Sequence, residues 1–458
     1  MLTINDTHYT AVDFTEYHQL FSTMDIFSIA KNIAVCLTDN MTWLALCSYA
    51  QKRQFSVMPI HPSTPLNTAE KLSAKAGCSA LFYQNLETII AINTPPQQHT
   101  QAGLIQMSSG TTGEPKCIKR SWEAIEVEVK NYISVFPQAQ TKTPVIACPV
   151  THSYGLICGV MVALARGQQP IIITNINPKY LIKTLLNVAS PLLYSSPTML
   201  EGIMRLWPKD SQLHAAMTSG TIMSTPLFEV LRHRVTHLYQ QYGCSEAGCI
   251  SISQQLKYAN DIGIPLPHIS IDGSINPNKP AEFIAKVNIN DNMQIIHTQD
   301  IGFLEKNKHG GINLRFIARL DDTIIVAGLN VYPQEIEDII LTHPQIIDAV
   351  IFKVNDHFAG QRVCLQYQTE QNIDEIQMRQ WCREQLASYQ VPHYLQQVSA
   401  ITRLANGKVN RKQIAINFQK SLQQASQKPV QQSPQKPVQQ SPQKPVKQSP
   451  QKPVKQPA

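Results

Sequence analysis

The chain has 458 residues, with 39 Lys and Arg against 32 Asp and Glu and a formal charge of +7. Six of the lysines (Lys428, Lys436, Lys444, Lys447, Lys452 and Lys455) lie in the stretch 427–458 with no acid, so the rest carries only +1 and its totals do not ask for a nucleic-acid partner. No run of about 18 apolar residues suggests a membrane span, and ten singly scattered cysteines without a CxxC pair indicate neither a zinc site nor a disulfide framework.

The length suits two or three domains. The first residues, MLTINDTHYTAVDF, lack the basic and apolar regions of a signal peptide. Together with the unpaired cysteines this leads to the expectation of a cytoplasmic protein.

The stretch MSSGTTGEPKCIKRSW, Met107 to Trp122, concentrates hydroxyls and glycines ahead of a lysine. Glycines admit close backbone approach and Ser and Thr donate to oxygens, so the loop suits a phosphate chain. It is not a GxxxxGK[ST] loop: Lys116 stands three residues after Gly113, and no Ser or Thr follows it to hold magnesium. TPVIACPV, PIIIT and PLLYSSP are short apolar runs bounded by Pro or Gly, as buried strands are. NPKYLIKTLLNVA sets Leu181, Leu185 and Val188 at helical spacing. This alternation predicts an α/β domain with largely parallel sheet.

Near Asp321 the character changes. YPQEIEDIILTHP predicts a helix with Ile336, Ile339 and Ile340 on one face, IIDAVIFKV a strand, and NIDEIQMRQWCREQL a helix striped by Met378, Cys382 and Leu386. The expected organisation is a large domain over 1–320, a small α+β domain over 321–418 and a disordered tail over 419–458. In the tail QKPV recurs every eight residues, which predicts an extended, polyproline-like segment. Its PQKP matches PxxP, so it could meet a Pro-recognising or an acidic partner; an inert repeat expansion is the plainer reading.

Four further stretches carry chemistry. YQQYGCSEAG places Ser245 and Glu246 behind a Tyr-Gly turn; HTQDIGFLE sets Asp300 before an expected turn; ARLDDTIIVAGLNVYPQEIE carries Arg319, Asp321 and Gly328; RLANGKVNRKQI puts Lys408 directly after Asn406-Gly407. Singly, each has a plainer reading: Glu246 a solvated loop charge, Asp300 a turn residue, Lys408 a surface lysine.

Together, in this order, they resemble the adenylate-forming superfamily of acyl- and aryl-CoA synthetases, adenylation domains and luciferases. The resemblance runs from about Leu44 to Arg411, and takes in FSVMPIHPSTP and IGIPLPHISI. It implies a large N-terminal domain with mainly parallel sheets and a small mobile C-terminal domain. It also implies that Ser108, Ser109, Gly110, Thr111, Thr112, Gly113 and Lys116 hold the β- and γ-phosphates of ATP. By the same resemblance Ser245 and Glu246 sit near the reacting carboxylate and phosphates, with Glu246 on Mg²⁺. Gly220 and Thr221 of TSGTIM, with Tyr242, flank adenine; Asp300 accepts the ribose hydroxyls, with Arg319 donating nearby. Lys408 reaches the substrate carboxylate and the α-phosphate, a task suited to a compact ammonium, and Asp321 is the hinge of the small domain.

The sequence departs from the family at Ala318, Ile325 and Gln241, where glycine, lysine and glycine are usual, and at TIMS in the adenine loop. None of these removes a group with a named charge role. In PVTHSYGLICG, His152 stands where amino-acid-activating members have an aspartate for the amine, which implies an acyl or aryl acid. Ala247 and Gly248 of AGCI open the pocket wall with small residues. The implied activity is ATP-dependent acid–thiol ligation with CoA as acceptor. A carrier-protein phosphopantetheine is the alternative acceptor, and a catalytically idle scaffold acting through the tail is the alternative class.

Overall fold

The computed structural model describes residues 1–94, 101–108, 116–175, 177–306, 311–326, 329–356, 360–404 and 408–427. Residues 1–415 form one compact unit, and a second begins at Ile416. The helix Arg411–Gln427 runs past residue 419, where the tail was expected to begin. The repeat from Lys428 onward lies outside the described residues.

Among the described residues three sheets form. The first orders Ile89–Ala91, Ala80–Gln84, Asn32–Leu37, Ser56–Pro59, Gly103–Ser108 and Lys116–Ser121, with the inner four parallel and both edges antiparallel. Asn32–Leu37 reads NIAVCL and is buried almost throughout, as a strand covered on both faces must be. The helix that follows, Asn40–Arg53, starts where the Asp39 carboxylate accepts from Met41 N and Thr42 N, and stops where Gln54 turns left-handed at φ 58°.

The second sheet is half parallel and half antiparallel. Leu2–Ile4, Ile171–Ile172, Thr143–Ile146, Pro191–Ser195, Leu213–Thr218 and Val235–Cys244 run parallel in that spatial order. Beyond Val235–Cys244 the strands Gly248–Ser253, Asp261–Pro265, Ile312–Arg319, Asn292–Lys306, Ala281–Ile289 and Ile269–Asp272 continue antiparallel. Helix Pro178–Asn187 buries Leu181 and Leu185 as expected; Val188 falls just past its end, and Ile182 takes the third buried place.

The third sheet comprises Leu329–Val331, Ile324–Val326, Gly360–Thr369, Ile346–Asp356 and Tyr394–Val398. It has its own core: Ile336 and Ile340 of helix Pro333–Ile340, with Met378 and Cys382 of helix Glu375–Gln385, pack on Ile324, Ile351 and Leu365. The molecule is thus of the α/β class, with a smaller sheet-and-helix portion after the large sheets. His152, Gly220 and Ser245 follow the C-terminal ends of parallel strands, which is where open α/β sheets carry their sites.

Candidate active site

Asp300 is the buried anchor of the site, only 4 % exposed. The expected turn beside it does not form: Asp300 lies inside the long strand Asn292–Lys306, where the ladder slips register between Ile301 and Gly302. Gln299, just before it, sits at φ +61°, unusual for a side-chain-bearing residue. Glu282 Oε1 holds it there, accepting from Gln299 N at 2.9 Å and Nε2 at 3.0 Å. A local backbone strain of this kind re-aims the next side chain.

That side chain is aimed at two donors. Tyr242 Oη donates to Asp300 Oδ2 at 2.7 Å, and Arg319 Nη1 donates to Oδ1 at 2.9 Å. Arg319 also donates through Nη1 to Thr298 O at 3.2 Å and through Nε to Asp321 Oδ1 at 3.3 Å. Burial raises the Asp300 pKa above the usual carboxylate value, against the opposing pull of Arg319 and Tyr242. Burial, then the Asp300 charge, holds the Tyr242 phenol well above its ordinary range, so it remains a donor.

The charge of Lys408 acts on this cluster. The carbonyl of Lys408 accepts from Leu404 N at 2.8 Å, and Arg403 bridges Val409 across residues 405–407. Those three residues are themselves outside the described set. Lys408 is open to water yet crowded by protein: its surroundings lower its pKa first, then the Arg319 charge, while Asp300 and Cys244 oppose. The same ammonium acts on His152, whose side chain reaches water yet whose pKa is lowered first by the protein packed around it, then by His61, then by Lys408.

The other expected site residues lie on several elements. Gly220, at φ +94°, and Thr221 follow the strand Leu213–Thr218. Ser245, Glu246 and Ala247 make the turn between Val235–Cys244 and Gly248–Ser253. Glu246 is exposed and Ala247 buried, and both line a cavity of about 260 Å³ with Arg120, Ser121 and His268. Gly248 sits at φ +76°, and a Cβ there would land on the buried Arg120–Glu128 ion pair. Ser108 ends Gly103–Ser108 in register with Lys116, which is exposed. Ser109, Gly110, Thr111, Thr112 and Gly113 lie outside the described residues, as does Gly328.

Sequence reasoning passed over a second, buried network. Gln241 accepts from Tyr132 Oη at 2.8 Å and donates to Cys158 Sγ at 3.2 Å. Glu128 accepts from Cys249 N at 2.7 Å and pairs with Arg120. The signal for Gln241 was its place one residue before Tyr242; its partners are 83 and 109 residues away.

Chemically, the arrangement presents a carboxylate with two fixed donors and the charge of a nearby ammonium. Asp300, with Arg319 beside it, fits a vicinal diol such as ribose. Among the described residues no three His, Cys, Asp or Glu side chains cluster as a metal cage. An exposed single carboxylate such as Glu246 fits Mg²⁺, which keeps waters and shares its sphere with phosphate oxygens.

Comparison with known proteins agrees with this chemistry. The AMP-binding enzyme family matches residues 91–272, and its C-terminal domain family matches 335–408. The chain is 37% identical over 415 residues to the 3,4-dihydroxybenzoate–[aryl-carrier protein] ligase of Bacillus anthracis, covering 90% of this chain and 98% of that one. It is 22% identical over 366 residues to a mitochondrial medium-chain acyl-CoA ligase of Rattus norvegicus, covering 70% and 58% of the two chains. The fold matches o-succinylbenzoate CoA synthetase of Bacillus subtilis bound to its acyl-adenylate, with a TM-score of 0.75 at 18% identity over 90% of this chain and 94% of that one. Tyr242 and Arg319 donating to the buried Asp300, together with these likenesses, lead to one conclusion: the chain belongs to the AMP-binding enzymes, the adenylate-forming, AMP-forming ligases.

Proposed function

We propose that this ligase activates an aryl carboxylic acid as its acyl-adenylate and passes the acyl group to the phosphopantetheine thiol of a carrier protein. The observation that carries the activation step is the buried Asp300 carboxylate held by Tyr242 and Arg319, with the Lys408 charge near enough to act on it. In that step a carboxylate oxygen bonds to the α-phosphorus of ATP and the bond to pyrophosphate breaks. Lys408 offers its ammonium to both anions, whose mutual repulsion is the obstacle. Asp300 takes the ribose hydroxyls, Tyr242 and Arg319 keep its oxygens aligned, and Gly220 and Thr221 border the adenine. Ser108–Gly113 and Lys116 take the phosphates, and Glu246 contributes an oxygen to Mg²⁺, which neutralises phosphate charge. In the second step the thiol sulfur bonds to the carbonyl carbon and AMP leaves.

An aryl acid and a carrier thiol are supported by the 37% identity to an aryl-carrier protein ligase along nearly the whole of both chains. His152 offers no negative charge for an α-amine in either protonation state, in keeping with an acid that lacks one. CoA, the acceptor first expected, is the second reading, favoured by the likeness to the rat acyl-CoA ligase. We further infer that the portion after Asp321 is a lid domain that turns about that residue. ATP–pyrophosphate exchange with 3,4-dihydroxybenzoate and a panel of benzoates and fatty acids tests the acid. Thioester formation with CoA against an aryl carrier protein tests the acceptor. Exchange with fatty acids alone would overturn the aryl assignment.

A further inference from the structure

Lys408 does useful work only if something holds its whole domain in place, and a hydrogen-bonded contact joins the two cores. Helix Pro333–Ile340 is rooted in the core of the third sheet through Ile336 and Ile340. Helix Thr225–Arg234 is rooted under the large sheet through Leu227, Phe228 and Leu231. Thr225 Oγ1 donates to Asp338 Oδ2 at 2.6 Å, and Thr225 N also donates to that carboxylate. Gln334 Nε2, one turn earlier on the same helix, donates to Oδ1 at 2.8 Å and orients it. A carboxylate from one core therefore caps the first turn of a helix in the other, where the helix dipole favours negative charge.

The contact is mechanically joined to Lys408. Glu337, beside Asp338, is buried, and both its oxygens accept from Arg411 Nη2 at 2.7 Å. Arg411 Nε donates to Ile351 O at 3.0 Å, and Glu337 Oε1 accepts from Ile351 N at 2.7 Å. Arg411 stands three residues after Lys408. The path from Thr225 through Asp338, the helix, Glu337 and Arg411 contains no freely rotating step, since each member is held by two or more bonds.

We propose that Thr225 and Asp338 are positioning residues that hold Lys408 over the Asp300 cluster for the adenylation step. The proposal rests on the role given to Lys408 above. Because Lys408 serves the attack on phosphorus and not the attack by thiol, loss of the contact slows one half-reaction selectively.

The test uses the full-length chain with an accepted acid. Thr225→Val and Asp338→Ala are expected to lower kcat for ATP–pyrophosphate exchange about tenfold, the loss of one hydrogen bond to a charged group, with KM for ATP little changed. Thioester formation from preformed acyl-adenylate is expected to stay level or rise, and Thr225→Ser to behave as the parent. Equal losses in both half-reactions, or a Thr225→Ser variant as slow as Thr225→Val, would overturn the proposal. Hydrogen exchange without substrate keeps the test separate from the functional reading. Asp338→Ala is expected to speed amide exchange in the first turn of Thr225–Arg234, and unchanged exchange there overturns the contact even if no acid is turned over.

Discussion

The Arg319 guanidinium and the Asp300 carboxylate meet at 2.9 Å, and the same guanidinium reaches Asp321 at 3.3 Å through its other edge. One planar cation thus ties the carboxylate proposed to hold the ribose to the residue proposed as the hinge. Lys353 Nζ grips the backbone on either side, donating to Asp321 O at 2.6 Å and Thr323 O at 2.9 Å. Arginine suits this place because its fixed fork can serve two carboxylates at once.

Asp300→Asn should separate binding from stability. Burial raises the folded pKa of Asp300 above 3.8, so the ionised group weighs against the fold as pH climbs through and past the raised value. The variant is expected to melt at the same or a higher temperature at pH 7, with the difference vanishing at low pH. Its KM for ATP should rise about 10- to 100-fold, the scale of a lost charged hydrogen bond. Calorimetry beside initial rates checks both; a large drop in melting temperature at pH 7 would contradict the sign.

Lys408→Ala should remove most adenylation while sparing thioester formation from preformed acyl-adenylate. Losing one preorganised transition-state donor costs about 3–4 kcal/mol, or roughly 10²–10³ in rate. Single-turnover assays of each half-reaction read the split. Parental exchange rates in the variant would remove Lys408 from the reaction.

The lowered pKa of Lys408 has a kinetic signature. Its charge is lost at lower pH than for an ordinary lysine, so the exchange rate should fall on the alkaline side before the usual lysine range. Lys408→Arg keeps its charge throughout and should lose that limb, whatever its absolute rate. A limb that persists in Lys408→Arg belongs to another group.

Asp321→Pro should stall the enzyme with acyl-adenylate bound. Proline fixes φ and removes an N–H, so a residue that must change its dihedrals can no longer do so. Rapid-quench measurement should show one equivalent of adenylate formed and little thioester. Unchanged thioester turnover would move the hinge elsewhere.

Gly248→Ala should be costly to the fold. The backbone is at φ +76°, and the new Cβ would displace the Arg120–Glu128 pair, whose side chains are 6% and 1% exposed. Left-handed strain costs about 1–2 kcal/mol and a disrupted buried pair about 3 or more. Denaturant titration should show at least about 3 kcal/mol of lost stability.

Much of the site was legible along the chain because its members lie in short, dense motifs. Asp300, Arg319, Tyr242 and Lys408 each stand beside a Gly, a turn signal or a charge pair, and their order alone suggested a common reaction. The alternation of short apolar runs with helical stripes likewise carried the α/β class, since buried parallel strands must be apolar throughout. Tertiary structure decided what local pattern cannot encode. Asp300 took the interior of a bulged strand instead of a turn, paired in the ladder with Arg319, 19 residues away. Gln241, an anomaly in sequence, became a buried amide between Tyr132 and Cys158. Asp338 and Thr225, 113 residues apart, met across two cores. Period and propensity act within a few residues, whereas these bonds depend on which surfaces the packed sheets bring within 3 Å of one another.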